Sequence, residues 1–416
     1  MPRGMLSIRK IFFWITLYML FIQMLAPKLF KPADELGVFF ILIIIGLDMV
    51  VNRQYTRYKN MFVVVGVLAF YAVYSLFLKF NTPKAILIDF VIESKPFVPF
   101  FIGYAIAPRY THKECQILKA TCIAIASVLP IIYFTGCTFV VIHHVVYIGS
   151  TAFICFITYI YCSIRSDGTI SRRDFAIAMC ILSVGLICTR SKYFGETVLA
   201  VFMLFFYRPG MFKKLRVKQV VILSLVVAAV LVVSWKKISF YFIDGTEGAF
   251  DTRSIQAFAR PALLGGMFLI LCDFPLFGTG LASYATYASS PDVNYSAVYA
   301  MYDLDKVFGL SEQFYEFICD IFYAELAQFG LVGIGLFIYF FVWIYQRLRL
   351  NLHDESHYMF VIGVLVIAYV MIENVGGTLF SQSGGLYLMM LLGTIIGKYR
   401  KTDKAERKAI LQQEYK

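Results

Sequence analysis

The chain has 416 residues, of which 60 % are hydrophobic and only 15 % charged, and its mean hydropathy is +0.74. A water-soluble domain of that size must wet a large surface, so this composition excludes one and points to helices that cross a bilayer. The apolar runs are continuous, which excludes a β-barrel, and the basic residues behind the net charge of +12 lie between those runs, as membrane topology places them and nucleic-acid binding does not.

The first apolar segment lacks a small-residue cleavage site and is expected to remain as an anchor. A helix needs about 20 residues to cross about 30 Å of hydrocarbon. On that basis the chain predicts spans at 11–26, 36–51, 61–78, 85–107, 115–135, 147–164, 174–189, 192–207, 218–235, 312–345, 357–375 and 384–399. The expected fold is all-α, a polytopic integral membrane protein of about 12 transmembrane helices with one long extracytoplasmic helical loop. Residues 1–235 would hold the first nine helices, 236–311 the loop, 312–399 the last three helices and 400–416 a basic cytoplasmic tail.

Lysine and arginine set the orientation. With the N-terminus in the cytoplasm, cytoplasmic segments hold 26 of the 38 basic residues and the outer side 12, five of them in the long loop. That skew puts both termini inside and residues 236–311 outside.

Three places interrupt the apolar pattern. The fourth span carries Asp89, Glu93 and Lys95, then Pro96 and Pro99, so it should be broken or lie partly along the interface. Its charges read either as a functional group within the membrane or as a span that starts in the outer headgroups. Between the seventh and eighth spans, Arg190, Ser191 and Lys192 place positive charge on the outer side, against the general trend. The compensating anion would be a lipid headgroup, an acid of the long loop, or a phosphate of a substrate.

The long loop is the third interruption. From Asp251 to Cys272 it suits one helix or two meeting at Pro261, and Arg253, Gln256 and Arg260 share one face if Pro261 opens a second helix. A glycine turn, Pro275 to Gly280, and a run of tyrosines follow, including Tyr284, Tyr287, Tyr295, Tyr299 and Tyr302. They read either as an interfacial aromatic belt or as a surface for sugar rings. Glu312, Glu316 and Asp320, spaced four apart, predict an acidic stripe where the chain re-enters the membrane. That stripe would be an ion-pair partner for the arginines or would include a general base.

Arginine grips phosphate through a planar fork of donors. Arg190, Arg253 and Arg260, helped by Lys192 and Lys95, suit a diphosphate leaving group, and a carboxylate nearby could take a proton from an acceptor hydroxyl. Tyr284 and Tyr287 are the candidate sugar contacts. His143 and His144 are weak base candidates, while His112, His353 and His357 read as incidental. Nine scattered cysteines, with no Cys-x-x-Cys pair, read as apolar fillers. No metal and no cofactor are expected.

Between residues 190 and 340 the chain resembles the bacterial O-antigen polymerase and ligase superfamily (Wzy-type and WaaL-type membrane glycosyltransferases). The residues that carry the resemblance are Thr189-Arg190-Ser191 after a helix hairpin, Arg260 about fifteen residues before Pro275-Leu276-Phe277-Gly278-Thr279-Gly280, and Gly330 with Gly333 after the re-entry. The resemblance implies a metal-independent transfer from an undecaprenyl-diphosphate donor at the outer face of the bacterial inner membrane. Its expected partners are a lipid-linked oligosaccharide, membrane lipids and a chain-length regulator protein, with no nucleic acid. The ligases carry a histidine eleven residues before the first of those glycines, where this chain has Cys319, and that departure favours a polymerase over a ligase. A secondary transporter or flippase of about twelve helices is the alternative of another class, kept open by Asp89, Glu93 and Lys95 and by Glu373-Asn374.

Overall fold

The structure is a computed structural model that describes residues 3–29, 33–52, 55–108, 110–142, 144–165, 167–207, 258–350 and 357–397. Those residues form helices and turns, with no strand among them. Helices α1 (Arg3–Leu29), α2 (Ala33–Asn52) and α3 (Lys59–Leu78) take the first three predicted spans. The fourth breaks where Pro96 demands it, into α4 (Pro83–Ser94) and α5 (Phe97–Ile106). The Thr82 hydroxyl caps α4 and Pro83 takes its first position, where a missing N–H costs nothing.

α6 (His112–Phe134) opens on a capping box in which Thr111 and Glu114 satisfy each other's backbone N–H. The short α7 (Thr138–Val141) leads to α8 (Val146–Ser163), and α9 (Arg172–Val184) to α10 (Ser191–Phe205). After residue 258 come α11 (Ala259–Asp273), α12 (Ala297–Met301), α13 (Phe322–Glu325), α14 (Gly330–Leu350), α15 (His357–Glu373) and α16 (Ser383–Gly397).

Among the described residues, five helical stretches are long and apolar enough to cross a membrane: Tyr55–Leu78, His112–Phe134, Val146–Ser163, Phe322–Arg349 and His357–Gly376. The chain is a membrane-embedded helical protein. Burial separates the inner helices from the outer ones. In α8 83 % of the most apolar window is buried, in the α3 stretch 22 %. Phe62, Val63, Phe70, Val73 and Phe77 of α3 stay exposed, as a lipid-facing surface requires, because lipid solvates apolar side chains without penalty.

α5 and α16 cross almost backbone to backbone. A Cβ on Gly393 would collide with the Phe100 carbonyl oxygen, one on Gly397 with that of Tyr104, and one on Gly103 with that of Met390. Close approach through small residues replaces the hydrophobic drive that lipid removes. Gly393→Leu is therefore expected to lower stability by about 2–3 kcal/mol or to prevent folding, read as loss of the monodisperse peak in detergent.

Residues 259–327 build a second apolar core of their own from Leu263, Ile270, Tyr284, Val298, Tyr299, Leu310 and Ile321, among others. The Pro275–Gly280 turn dovetails with the start of α14. Leu331 and Val332, whose N–H groups have no intrahelical partner, donate to the Pro275 and Leu276 carbonyls at 2.8 and 3.1 Å. Gly278 and Gly330 both have positive φ, and each Cβ would strike the other segment's backbone. The two glycine motifs thus form one structural joint.

Two expectations need correction. The re-entry does not begin at residue 312, because the chain runs through turns and bends from 311 to 321 and becomes helical only at Phe322. Glu312, Glu316 and Asp320 consequently share no helical face. A Phe308–Phe314–Phe317 ring cluster and the left-handed Gly309 fold this stretch back on itself. The predicted span 218–235, the first part of the long loop and the basic tail lie outside the described residues.

Candidate functional site

Four chain segments bring ionic side chains to one place: the starts of α10 and α11, the end of α15 and the turn before α13. Thr189, in the left-handed region at φ 51°, turns the chain out of the α9 hairpin, and Arg190 follows in extended backbone. Lys192 then lies in the first turn of α10, which packs against α15. Its Nζ donates to Glu373 Oε2 at 2.8 Å, to the Glu373 carbonyl at 3.2 Å and to the Gly376 carbonyl at 3.0 Å. A lysine there satisfies carbonyls that the end of a helix leaves open.

Arg260 occupies the first turn of α11, whose start just before Pro261 agrees with that proline opening a helix. Its Nε donates to Asp320 Oδ2 at 2.5 Å. Gly376 borders both cations. A Cβ added there would be 3.8 Å from Lys192 Nζ and 4.0 Å from Arg260 Cζ. An ammonium and a guanidinium thus border the same small residue, and each already faces a carboxylate. The Gly377 carbonyl accepts from Phe322 N at 3.1 Å and ties the α13 turn to the end of α15.

Arg190 is half-buried and makes no ion pair among the described residues. Cys188 lies within electrostatic reach of Arg190, Glu373 and Glu196 together, so the free guanidinium belongs to the same neighbourhood. Glu196, one turn beyond Lys192 on the same face, is only 2 % exposed, and neither of its oxygens meets a hydrogen-bond donor.

The other candidates are placed differently. Arg253 lies outside the described residues. Lys95 sits buried at the break between α4 and α5 and pairs with Glu35 of α2 at 2.5 Å. Tyr284 is fully buried in the second core and donates its hydroxyl to the Leu263 carbonyl at 2.6 Å, so it offers no face to a sugar. Tyr287 is exposed, with its phenol raised by burial and then by Asp292, Cys319 and Glu35. Glu316 is exposed. Glu312 borders a separate polar cleft of about 520 Å³ with Lys79, Asn81, Tyr295 and Asp305. Of the three acids, Asp320 alone is brought to an arginine among the described residues.

Burial pushes the Cys319 thiol up to about 12, with Asp89, Asp292 and Asp320 adding to the effect. A thiol held neutral in this way cannot serve as the base that a histidine would provide. The sequence places Glu196 four residues after Lys192, on the same helical face, but does not show that it is buried. In the sequence Glu373 reads only as an intramembrane charge, because nothing there shows that it meets Lys192. Among the described residues no cluster of His, Cys, Asp and Glu has the geometry to hold a metal ion. Compared with known proteins, the chain matches no family model and no curated sequence, so its site is read from its own chemistry.

Proposed function

We propose that the protein is a membrane glycosyltransferase that polymerises undecaprenyl-diphosphate-linked repeat units of a surface polysaccharide, O-antigen or capsule, at the outer face of a bacterial inner membrane. The observation that carries this reading is the placing of Lys192 and Arg260 beside Gly376, with Arg190 nearby making no ion pair among the described residues. Two cations beside one small residue, plus a third, suit a diphosphate on a lipid tail. The topology that belongs to the reading has about 12 spans and both termini inside, and it rests on the skew of 26 basic residues against 12.

In the transfer, the acceptor hydroxyl oxygen bonds to the anomeric carbon of the donor sugar. The bond from that carbon to the diphosphate oxygen breaks, and its electron pair leaves with the phosphate. Arg190, Lys192 and Arg260 stabilise the charge that grows there. Asp320, exchanged from Arg260 as phosphate takes up the guanidinium, accepts the hydroxyl proton. Transfer of the glycan to lipid A core would use the same donor site, but the neutral thiol at Cys319 weighs against it. A transport function draws support from a different observation, the carboxyls buried inside the bundle.

Arg190→Ala provides the test. The variant should reach the membrane in normal amount while surface polysaccharide falls to single repeat units, read on a silver-stained gel. Normal chain lengths would end this reading. Long undecaprenyl-linked chains left unattached would point to the ligase.

A further inference from the structure

Apart from the cation site, three carboxyl groups and one amide meet where α4, the α13 turn and the overlying 280–286 segment pack together. Asp89 and Glu93, one turn apart on α4, are 0 % and 6 % exposed, Glu325 is 3 % exposed and Gln328 0 %. None of the three acids forms an ion pair with a lysine, arginine or histidine among the described residues. Three ionised carboxylates in such a place would each carry a desolvation cost of several kcal/mol. The Glu93 and Glu325 carboxyls lie within electrostatic contact of each other. A carboxylate only accepts, so a hydrogen bond between them needs a proton on one of the two.

The cluster also has open positions. Asp89 Oδ1, Glu93 Oε1 and Gln328 Nε2 are buried with no hydrogen-bond partner. Asp89 Oδ2 and Gln328 Oε1 are occupied by the overlying segment, accepting from Ala282 N at 2.6 Å and from Ser283 N at 3.3 Å. Glu93 also lines an apolar groove of about 410 Å³ between α3, α5 and α14, with Tyr71, Phe97 and Phe337.

We propose that Asp89, Glu93 and Glu325 form a proton-binding site within the bundle, with one proton shared between the Glu93 and Glu325 carboxyls and further protons taken at Asp89 Oδ1 and Glu93 Oε1. The protons come from and return to water, and no other bond changes. Because Asp89 and Gln328 hold the backbone of Ala282 and Ser283, loading the site is coupled to the seating of the segment that covers it. The surrounding titratable and charged groups are Tyr71 and Tyr74 on α3, Tyr287 above, Cys319 in the turn before α13, and Lys95 with Glu35 at the end of α4. Both tyrosines on α3 are engaged, Tyr71 on the Phe329 carbonyl and Tyr74 on the Gly278 carbonyl. The inference stands independently of the glycosyltransferase reading.

The test uses the full-length protein in nanodiscs at neutral pH. Infrared difference spectra should show the carbonyl stretch of a protonated carboxyl, shifted in deuterium oxide. Glu325→Gln and Glu93→Gln should each weaken that band, leaving the part that Asp89 contributes, while keeping the thermal midpoint of the parent, because glutamine matches a protonated carboxyl in shape. Absence of the band, or a band unchanged in every variant that folds, overturns the proposal. A thermal midpoint that rises with sodium or potassium at fixed pH and ionic strength, and stops doing so in Glu325→Gln, would show a metal cation in place of the proton.

Discussion

Arg260→Ala is expected to abolish polymer formation, with the transfer rate down about 10²–10³-fold, while the protein remains folded in the membrane. The asymmetry follows from exposure. Arg260 and Asp320 are 39 % and 25 % exposed, so solvent screens their pairing and its loss should cost about 1 kcal/mol of stability or less. A guanidinium facing a transferring phosphate has a larger part, because it stabilises charge that exists only as the glycosidic bond breaks. Arg260→Lys should recover part of the rate, since the charge stays and the fork of donors is lost. Polysaccharide chain length on a gel, with membrane abundance by immunoblot, separates the two effects. A variant with full chain lengths would leave Arg260 as a structural partner of Asp320 alone.

Lys192→Met should act in the opposite way and strike stability first. Lys192 holds a Glu373 carboxylate that is only 9 % exposed and two carbonyls at the end of α15, with the buried Glu196 one turn away. Removing the ammonium leaves the Glu373 carboxylate unpaired in a medium of low dielectric, a loss of about 3–5 kcal/mol. The double variant Lys192→Met/Glu373→Met should regain much of it, because apolar side chains of similar volume replace an ion pair at little net cost. Thermal unfolding in detergent measures both variants. If Lys192→Met alone unfolds at the parent temperature, the pair has no structural weight.

These two residues also mark how far the sequence could be read. Hydropathy alone made the chain a helical membrane protein, because hydrocarbon forces every backbone polar group into internal hydrogen bonds and helices meet that demand locally. The break at Pro96, the helix opening at Pro261, and Arg190 and Lys192 beside a helix start were legible for the same reason, since each follows from chemistry within a few residues.

Spacing misled where local order was absent. Glu312, Glu316 and Asp320 have helical spacing, yet Gly309 and three phenylalanines fold their segment into turns and leave Asp320 by itself at an arginine. What only the tertiary structure decided was which charges meet. Lys192 reaches Glu373 across 181 residues, and Asp89 accepts from Ala282 across 193. Contacts of that range depend on how helices cross, which the close approach of Gly103, Gly393 and Gly397 sets at one place, and no local pattern in the chain encodes them.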